Sequence, residues 1–355
     1  MNLNFFELLQ IATGNRIEFS HTPTEEEWQE LFSLSQKQAL TGVAFLGIER
    51  LPQEQRPYKE LLMQWIVATE QIKEKNHVLD KQAIKVVSRF LKDGFRSVVL
   101  KGQGIATLYA HGRYRTPGDI DIWLEGSREK VMHYVKGFCP NAKIVYHHTD
   151  FLPIGNTEVE VHFTPSWMNS YFTNRTLQKF FEAQKKVLFS EKSDNANEIP
   201  MPSLCFNRVY ILVHIYRHLF GEGIGLRQMM DYYYVLCQGF TEEEGKETLA
   251  VLKSLKMLRF ASAVMWLLQT VFGMKNEYLL TLPNEKEGRF LLNEIMMAGN
   301  FGQHDTRIKY DANASDLSLF FCRVGRNFRF IRSYPSEVLW SPLFKIWHYF
   351  WRKCI

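Results

Sequence analysis

In the stretch TPGDIDIWLEG, residues 116–126, Asp119 and Asp121 are separated by one apolar residue and followed by Ile122 and Trp123. On a strand, side chains two apart point to the same face, with Cα atoms about 6.5 Å apart. Two carboxylates converging from that spacing can share a hard divalent cation. Mg²⁺ is commonly held by one or two carboxylates together with substrate phosphates. Taken alone, a pair of this kind more often decorates a solvated strand face, so the surrounding residues decide.

Three further features point the same way. In NTEVEVHF, Glu158 and Glu160 alternate with apolar residues, so both face one side of a strand. A third carboxylate from a neighbouring strand would complete a metal set or take the proton of an attacking hydroxyl. Glu160 is the expected member, Glu158 a rim residue, and His162 shares the face of Glu160. In VVLKGQG a β-branched run enters Lys101-Gly102-Gln103-Gly104. Glycines there let the backbone approach a ligand, and N–H groups at a following helix start favour phosphate. Neither the G-x-x-x-x-G-K-[ST] loop nor G-x-G-x-x-G is present, because Thr107 stands where the third glycine belongs. Arg113 and Arg115 precede the aspartates and could grip phosphate oxygens in bidentate fashion. The alternative is that they neutralise the nearby acids, and Arg115, closer to Asp119, is favoured as functional.

The elements that must position these groups are legible from periodicity. Residues 1–93 carry helical patterns. In TPTEEEWQELFSLSQKQAL, Thr22 or Thr24 is a candidate N-cap ahead of acidic first-turn residues. RLPQEQRPY separates the helical blocks, and Gly94 is a candidate stop. The period then changes. FRSVVLKGQG reads as a buried strand and turn, IATLYAHG as two helical turns, DIDIWLE as a strand, and SREKVMHYVKGF as a helix capped by Ser127. KIVYHHTDFLPI and NTEVEVHFTP read as strands joined at Gly155-Asn156. A polar link, residues 190–202, ends this unit, and helical patterns return beyond it.

Composition narrows the class. The chain has 355 residues, enough for two or three domains, with 46% hydrophobic and 23% charged residues. A net charge of +5 and a pI near 8.8 suit an anionic ligand. No basic run argues for long nucleic acid. Five scattered cysteines without a C-x-x-C pair argue against a zinc or disulfide framework and for reduced thiols in a cytoplasmic protein. The N-terminal stretch lacks the pattern of a secretory leader, and no segment approaches the length of a membrane span. His214 and His218, four apart, and Arg227 and Asp231, also four apart, stand out in the later helices. They read as helix-packing residues, as a second metal site, or as a face closing over the nucleotide site with Arg227 or His218 touching substrate. In the aromatic tail, Ser341-Pro342 is a candidate N-cap and N1 pair. That helix is expected to pack on the protein, with peripheral membrane contact as the alternative.

The order of a glycine turn, a helix, a D-x-D strand and a third acidic strand resembles the DNA polymerase β-like nucleotidyltransferase superfamily. Within it, VVLKGQGIATLYAHGRYRTPGDIDIWL, VEVHF and HIYRHLFGEGIGLRQMMDYYYVL resemble an uncharacterised bacterial nucleotidyltransferase family with a Lys-Gly turn. The resemblance implies an α+β fold: a mixed sheet with helices over residues 94–190, flanked by a helical region at 1–93 and a helical domain at 200–355. It implies in-line transfer of a nucleoside monophosphate from an NTP, expected to be ATP, to a hydroxyl of a small molecule or protein, with pyrophosphate leaving. Asp119, Asp121 and Glu160 would hold Mg²⁺ or Mn²⁺, and Lys101, Gly102, Gln103, Arg113 and Arg115 would hold the phosphates. The superfamily commonly has Ser or Gly after the turn glycine, whereas Gln103 stands here, so Lys101 is expected to supply that contact. The rivals are a catalytically silent nucleotide-binding protein on the same fold and a phosphohydrolase centred on His214, His218 and Asp231.

Overall fold

In a computed structural model, residues 2–190, 198–307 and 316–353 are described. Residues 191–197 of the polar link and Cys354 lie outside them. Three helices open the chain: α1 (Leu3–Thr13), α2 (Glu25–Lys37) and α3 (Thr41–Arg50). Thr24 caps α2 through a reciprocal capping box with Glu27, as the acidic first turn suggests. The 34-residue α4 (Lys59–Lys92) then spans the molecule, on the order of 50 Å at 1.5 Å per residue. It ends at Gly94, whose φ of +81° only glycine adopts readily.

The central unit holds β1 (Ser97–Val99), α5 (Gln103–Ala106), β2 (Ile120–Leu124), α6 (Arg128–Phe138), β3 (His148–Ile154) and β4 (Thr157–His162). The four strands form one mixed sheet in the order β1-β2-β4-β3, with β2 and β4 parallel and the outer pairs antiparallel. The two faces of β2 go to two cores. Ile120, Ile122 and Leu124 join Val86 and Phe90 of α4 and Val131 and Val135 of α6. Trp123, on the face of Asp121, packs on Phe181, Phe189 and Phe206. The strand is therefore buried on both sides, unlike the solvated strand that two aspartates alone would suggest.

Helices α7 (Tyr171–Leu188), α8 (Leu204–Gly221), α9 (Leu226–Cys237), α10 (Glu242–Ser254), α11 (Leu258–Phe272), α12 (Glu285–Ala298), α13 (Asp316–Phe328) and α14 (Pro335–Lys353) follow. Residues of α1–α3 and of α8–α12 share one apolar core that also takes in Trp123, so the flanking helices close on each other across the sheet unit.

Two local expectations are corrected. IATLYAHG is not a two-turn helix. α5 is four residues long and is followed by turns, because Gly112 brings the chain back against Ala106, where a Cβ would sit 2.3 Å from the Ala106 carbonyl oxygen. Ser341-Pro342 does not start a helix either. Pro335 begins α14, and Pro342 lies inside it, so Val338 loses one acceptor bond. One side of α14 is fixed by Glu337, which accepts from the backbone N–H groups of Asn169 (2.8 Å) and Ser170 (3.3 Å) ahead of α7. Leu339, Leu343 and Phe350 remain exposed. Among the described residues no helix is long and apolar enough to cross a membrane.

Candidate functional site

The parallel pairing of β2 with β4 sets Asp121 opposite Glu160 and Trp123 opposite His162. Residues facing each other in register share a face, so Asp121, Glu160 and His162 stand on one side of the sheet. β3 adds His148 opposite His162. Asp119 lies one residue ahead of β2 and opens toward the same space. The structure brings the three carboxylates to one side of the sheet. Asp119, Glu160 and, at the rim, Glu158 line a cavity of about 530 Å³, with Asp121 buried beneath it.

The glycine turn sits beside them. Gly102 has φ +56° and ψ −116°, and a Cβ on Gly104 would lie 2.6 Å from the Val99 carbonyl oxygen, so both positions require glycine. This bend aims Lys101 at the carboxylates. Its Nζ is 3.0 Å from Asp121 Oδ2 and 3.9 Å from Asp119 Oδ2. His162 Nε2 is 3.0 Å from Asp121 Oδ1 and 3.5 Å from Glu160 Oε2, and His148 Nδ1 is 3.1 Å from Glu160 Oε2. Burial opposes the Asp121 charge, but the Lys101 ammonium and His162 outweigh it and hold the carboxyl below its ordinary value. Burial likewise opposes the Lys101 charge, and Asp121 and Asp119 hold it well above the usual lysine range. Burial raises the Glu160 carboxyl.

The loop before β2 is pinned from two sides. On α4, the Asn76 amide donates to the carbonyls of Arg113 (2.9 Å) and Arg115 (2.7 Å). On α9, Asp231 takes the Arg115 guanidinium in a bidentate pair of 2.7 and 2.9 Å and accepts from Tyr109 Oη at 2.6 Å. The buried Arg115 is thus spent on structure, although it borders the cavity. Arg113 is exposed and lies outside the cavity, and the Gln103 amide donates to Asp80 on the α4 side. With only one turn in α5, little helix dipole faces the turn. The phosphate contacts expected from Gln103, Arg113 and Arg115 are therefore not brought to the carboxylates. Lys101 and the backbone of Gly102 are.

The opposite wall comes from α8 and α9. Along α8, His214, Arg217 and His218 recur at helical spacing on the cavity side. Arg217 lies over the Trp167 ring at 4.2 Å, and its Nη2 is 2.8 Å from His218 Nε2. Arg227 donates to the Thr116 carbonyl at 3.2 Å and lies 5.3 Å from the Phe301 ring. Among the described residues neither arginine has a carboxylate ion-pair partner, and the Nε of each lacks a hydrogen-bond partner. Burial lowers the pKa of both. Enclosed cations are ordinarily paired. Two left unpaired on a cavity wall form a ready anion site.

His214 and His218 join this wall and not a separate centre. Asp231 is already held by Arg115 and Tyr109. Among the described residues, the groups whose ligand atoms lie close enough for one ion are Asp121, Glu160 and His162, and His147, His148 and His162. The first group offers a hard ion carboxylate oxygens from Asp121 and Glu160, with the buried Asp121 Oδ2 3.0 Å from the Lys101 ammonium, and Asp119 lines the same cavity without converging in that group. His147, His148 and Arg217 were not distinguished by spacing. The available signal for Arg217 was a polar series in an otherwise apolar helix.

A carboxylate set on a small mixed sheet, wrapped by helices before and after it, is the α+β core of a nucleotidyltransferase. The chain belongs to the uncharacterised nucleotidyltransferase family, whose model matches residues 24–273. Comparison with curated proteins and with solved structures returns no match.

Proposed function

We propose that this protein transfers a nucleoside monophosphate from an NTP, in the first instance ATP, to a hydroxyl of a small molecule or protein, with release of pyrophosphate and dependence on Mg²⁺ or Mn²⁺. The observation that carries this is the meeting of Asp119, Asp121 and Glu160 across one cavity from the unpaired Arg217 and Arg227. Asp119, Asp121 and Glu160 would hold the metal, which when bound stabilises charge on the attacking and leaving oxygens. Arg217 and Arg227 hold the phosphate chain against the sheet, and Lys101 exchanges its carboxylate partners for a phosphate oxygen when nucleotide enters. In the alternative arrangement, Glu160, raised by burial, takes the proton of the acceptor hydroxyl instead of holding the metal.

The test is pyrophosphate release from labelled NTPs with Mg²⁺ or Mn²⁺ and a panel of acceptors. Turnover lost in the Asp119→Asn, Asp121→Asn double variant supports the assignment, and turnover surviving there rejects it. One observation favours a second reading, a catalytically silent nucleotide-binding protein: Lys101 already sits 3.0 Å from Asp121, as an internal counter-ion. Nucleotide binding that ignores divalent metal, with no turnover on any acceptor, would select that reading.

A further inference from the structure

We propose that His147, His148 and His162, with the Glu160 carboxylate, form a site for one borderline transition-metal ion such as Zn²⁺ or Co²⁺, richer in nitrogen than the carboxylate set of Asp119 and Asp121 with which it shares Glu160. The three imidazoles form a tight triangle. Ring centroids are 4.3 Å apart for His147 and His148, 5.1 Å for His147 and His162, and 5.2 Å for His148 and His162. One ligand atom from each lies within 4.8 Å of the others.

The contacts are those of converging lone pairs. His148 Nδ1 is 3.1 Å from His147 Nε2 and 3.1 Å from Glu160 Oε2. His162 Nε2 is 3.5 Å from Glu160 Oε2 and 3.0 Å from Asp121 Oδ1. A ring nitrogen carries at most one proton. Ordinary tautomers satisfy two of these contacts as hydrogen bonds, His147 with His148 and His162 with Asp121, while the same His148 and His162 nitrogens meet Glu160 Oε2 only as close contacts. A divalent ion gives each lone pair a full bond instead. The spacing agrees: a tetrahedral ion with bonds of 2.0–2.1 Å separates its ligand atoms by about 3.3 Å.

The fold holds the cluster in place. His148 is fixed by its register with His162, and the Trp167 ring lies against His147 with centroids 4.1 Å apart. Imidazole donors favour Zn²⁺, Co²⁺ or Ni²⁺, whereas carboxylate oxygens favour Mg²⁺ and Mn²⁺, so the two sets sort ions by softness. The nearby charges are the carboxylates of Asp119, Asp121 and Glu160 set against the Lys101 ammonium and the Arg217 guanidinium.

The full chain, stripped with chelator and free of nucleotide and Mg²⁺, would be titrated with CoCl₂ and followed by visible ligand-field absorption, then with ZnCl₂ by calorimetry. One equivalent of Co²⁺ should bind with strong bands and be displaced by Zn²⁺. His147→Ala and His148→Ala should each weaken binding at least about tenfold, the loss that even outer-shell changes produce. The exposed His133→Ala should leave the bands unchanged. Absence of a stoichiometric site in the wild-type protein overturns the proposal, as does wild-type affinity in the folded His148→Ala protein. Circular dichroism identifies a misfolded variant, and the His148 position, less buried than His147, decides if His147→Ala is lost. Because no nucleotide is present, failure of nucleotidyl transfer and failure of this site are read separately.

Discussion

The sheet wall and the helical wall of the cavity carry opposite charges and reach them in different ways. On the sheet, the carboxylates are compensated in place, Asp121 by Lys101 and His162 and Glu160 by His162. On the helices, Arg217 and Arg227 are enclosed yet have no carboxylate partner among the described residues. A third arginine, Arg115, borders the same space and is fully paired with Asp231. The contrast separates an arginine that holds the fold from two that we propose receive an anion, because a paired buried charge stabilises its surroundings and an unpaired one does not.

The largest effect that probes this contrast is Arg115→Ala. It leaves the buried Asp231 carboxylate unpaired and is expected to cost about 3–5 kcal/mol of stability, read by urea unfolding. Arg227→Ala removes no ion pair, so its unfolding free energy should change by less than about 1 kcal/mol. Equal destabilisation by the two changes would break the comparison.

Next in size, Asp121→Asn should lower metal-dependent pyrophosphate release by on the order of a hundred- to a thousandfold, and it should also lower stability, because Lys101 and His162 lose their buried partner. Arg227→Ala should then weaken nucleotide binding about 10- to 100-fold, the worth of a charge-assisted hydrogen bond, measured by calorimetry with a nonhydrolysable NTP. Arg113→Ala, outside the cavity, should leave that affinity unchanged.

The smallest effect is in pH. Burial holds His218 down to about 4 and His214 well below its ordinary value, so both are neutral in the folded protein. Between pH 6.5 and 4 the unfolded chain binds protons that the folded chain refuses. These groups therefore contribute stability above pH 6.5 that is lost as pH falls, by roughly 1 kcal/mol per pH unit for each histidine. Unfolding of wild type and His218→Gln across this window checks the sign, and a flatter profile is expected in the variant.

The sheet wall was legible because strand period and register are local. Alternation in DIDIWLE and VEVHF places Asp121 and Glu160 on one face once the strands pair, and Gly102 and Gly104 mark the bend beside them. Thr24 and Ser127 were legible as caps for the same reason. The helical wall was not legible. Arg115 lies near Asp119 in sequence, but its partner is Asp231, more than a hundred residues away, and only tertiary packing reveals that. Arg217 sits inside an apolar helix where its neighbours suggest burial. Adjacent His147 and His148 would point to opposite faces within a strand, but β3 begins only at His148, which frees His147 to turn inward beside it. Pro342 misled because Ser-Pro is a common helix start and Pro335, seven residues earlier, already provides one.

The most direct test of the central claim, that both walls serve one nucleotide, is a crystal structure with a nonhydrolysable NTP and Mn²⁺. The account predicts anomalous density for Mn²⁺ among Asp119, Asp121 and Glu160, with the phosphate chain against Arg217 and Arg227. Nucleotide bound away from both arginines, or with no ion at the carboxylates, would contradict it.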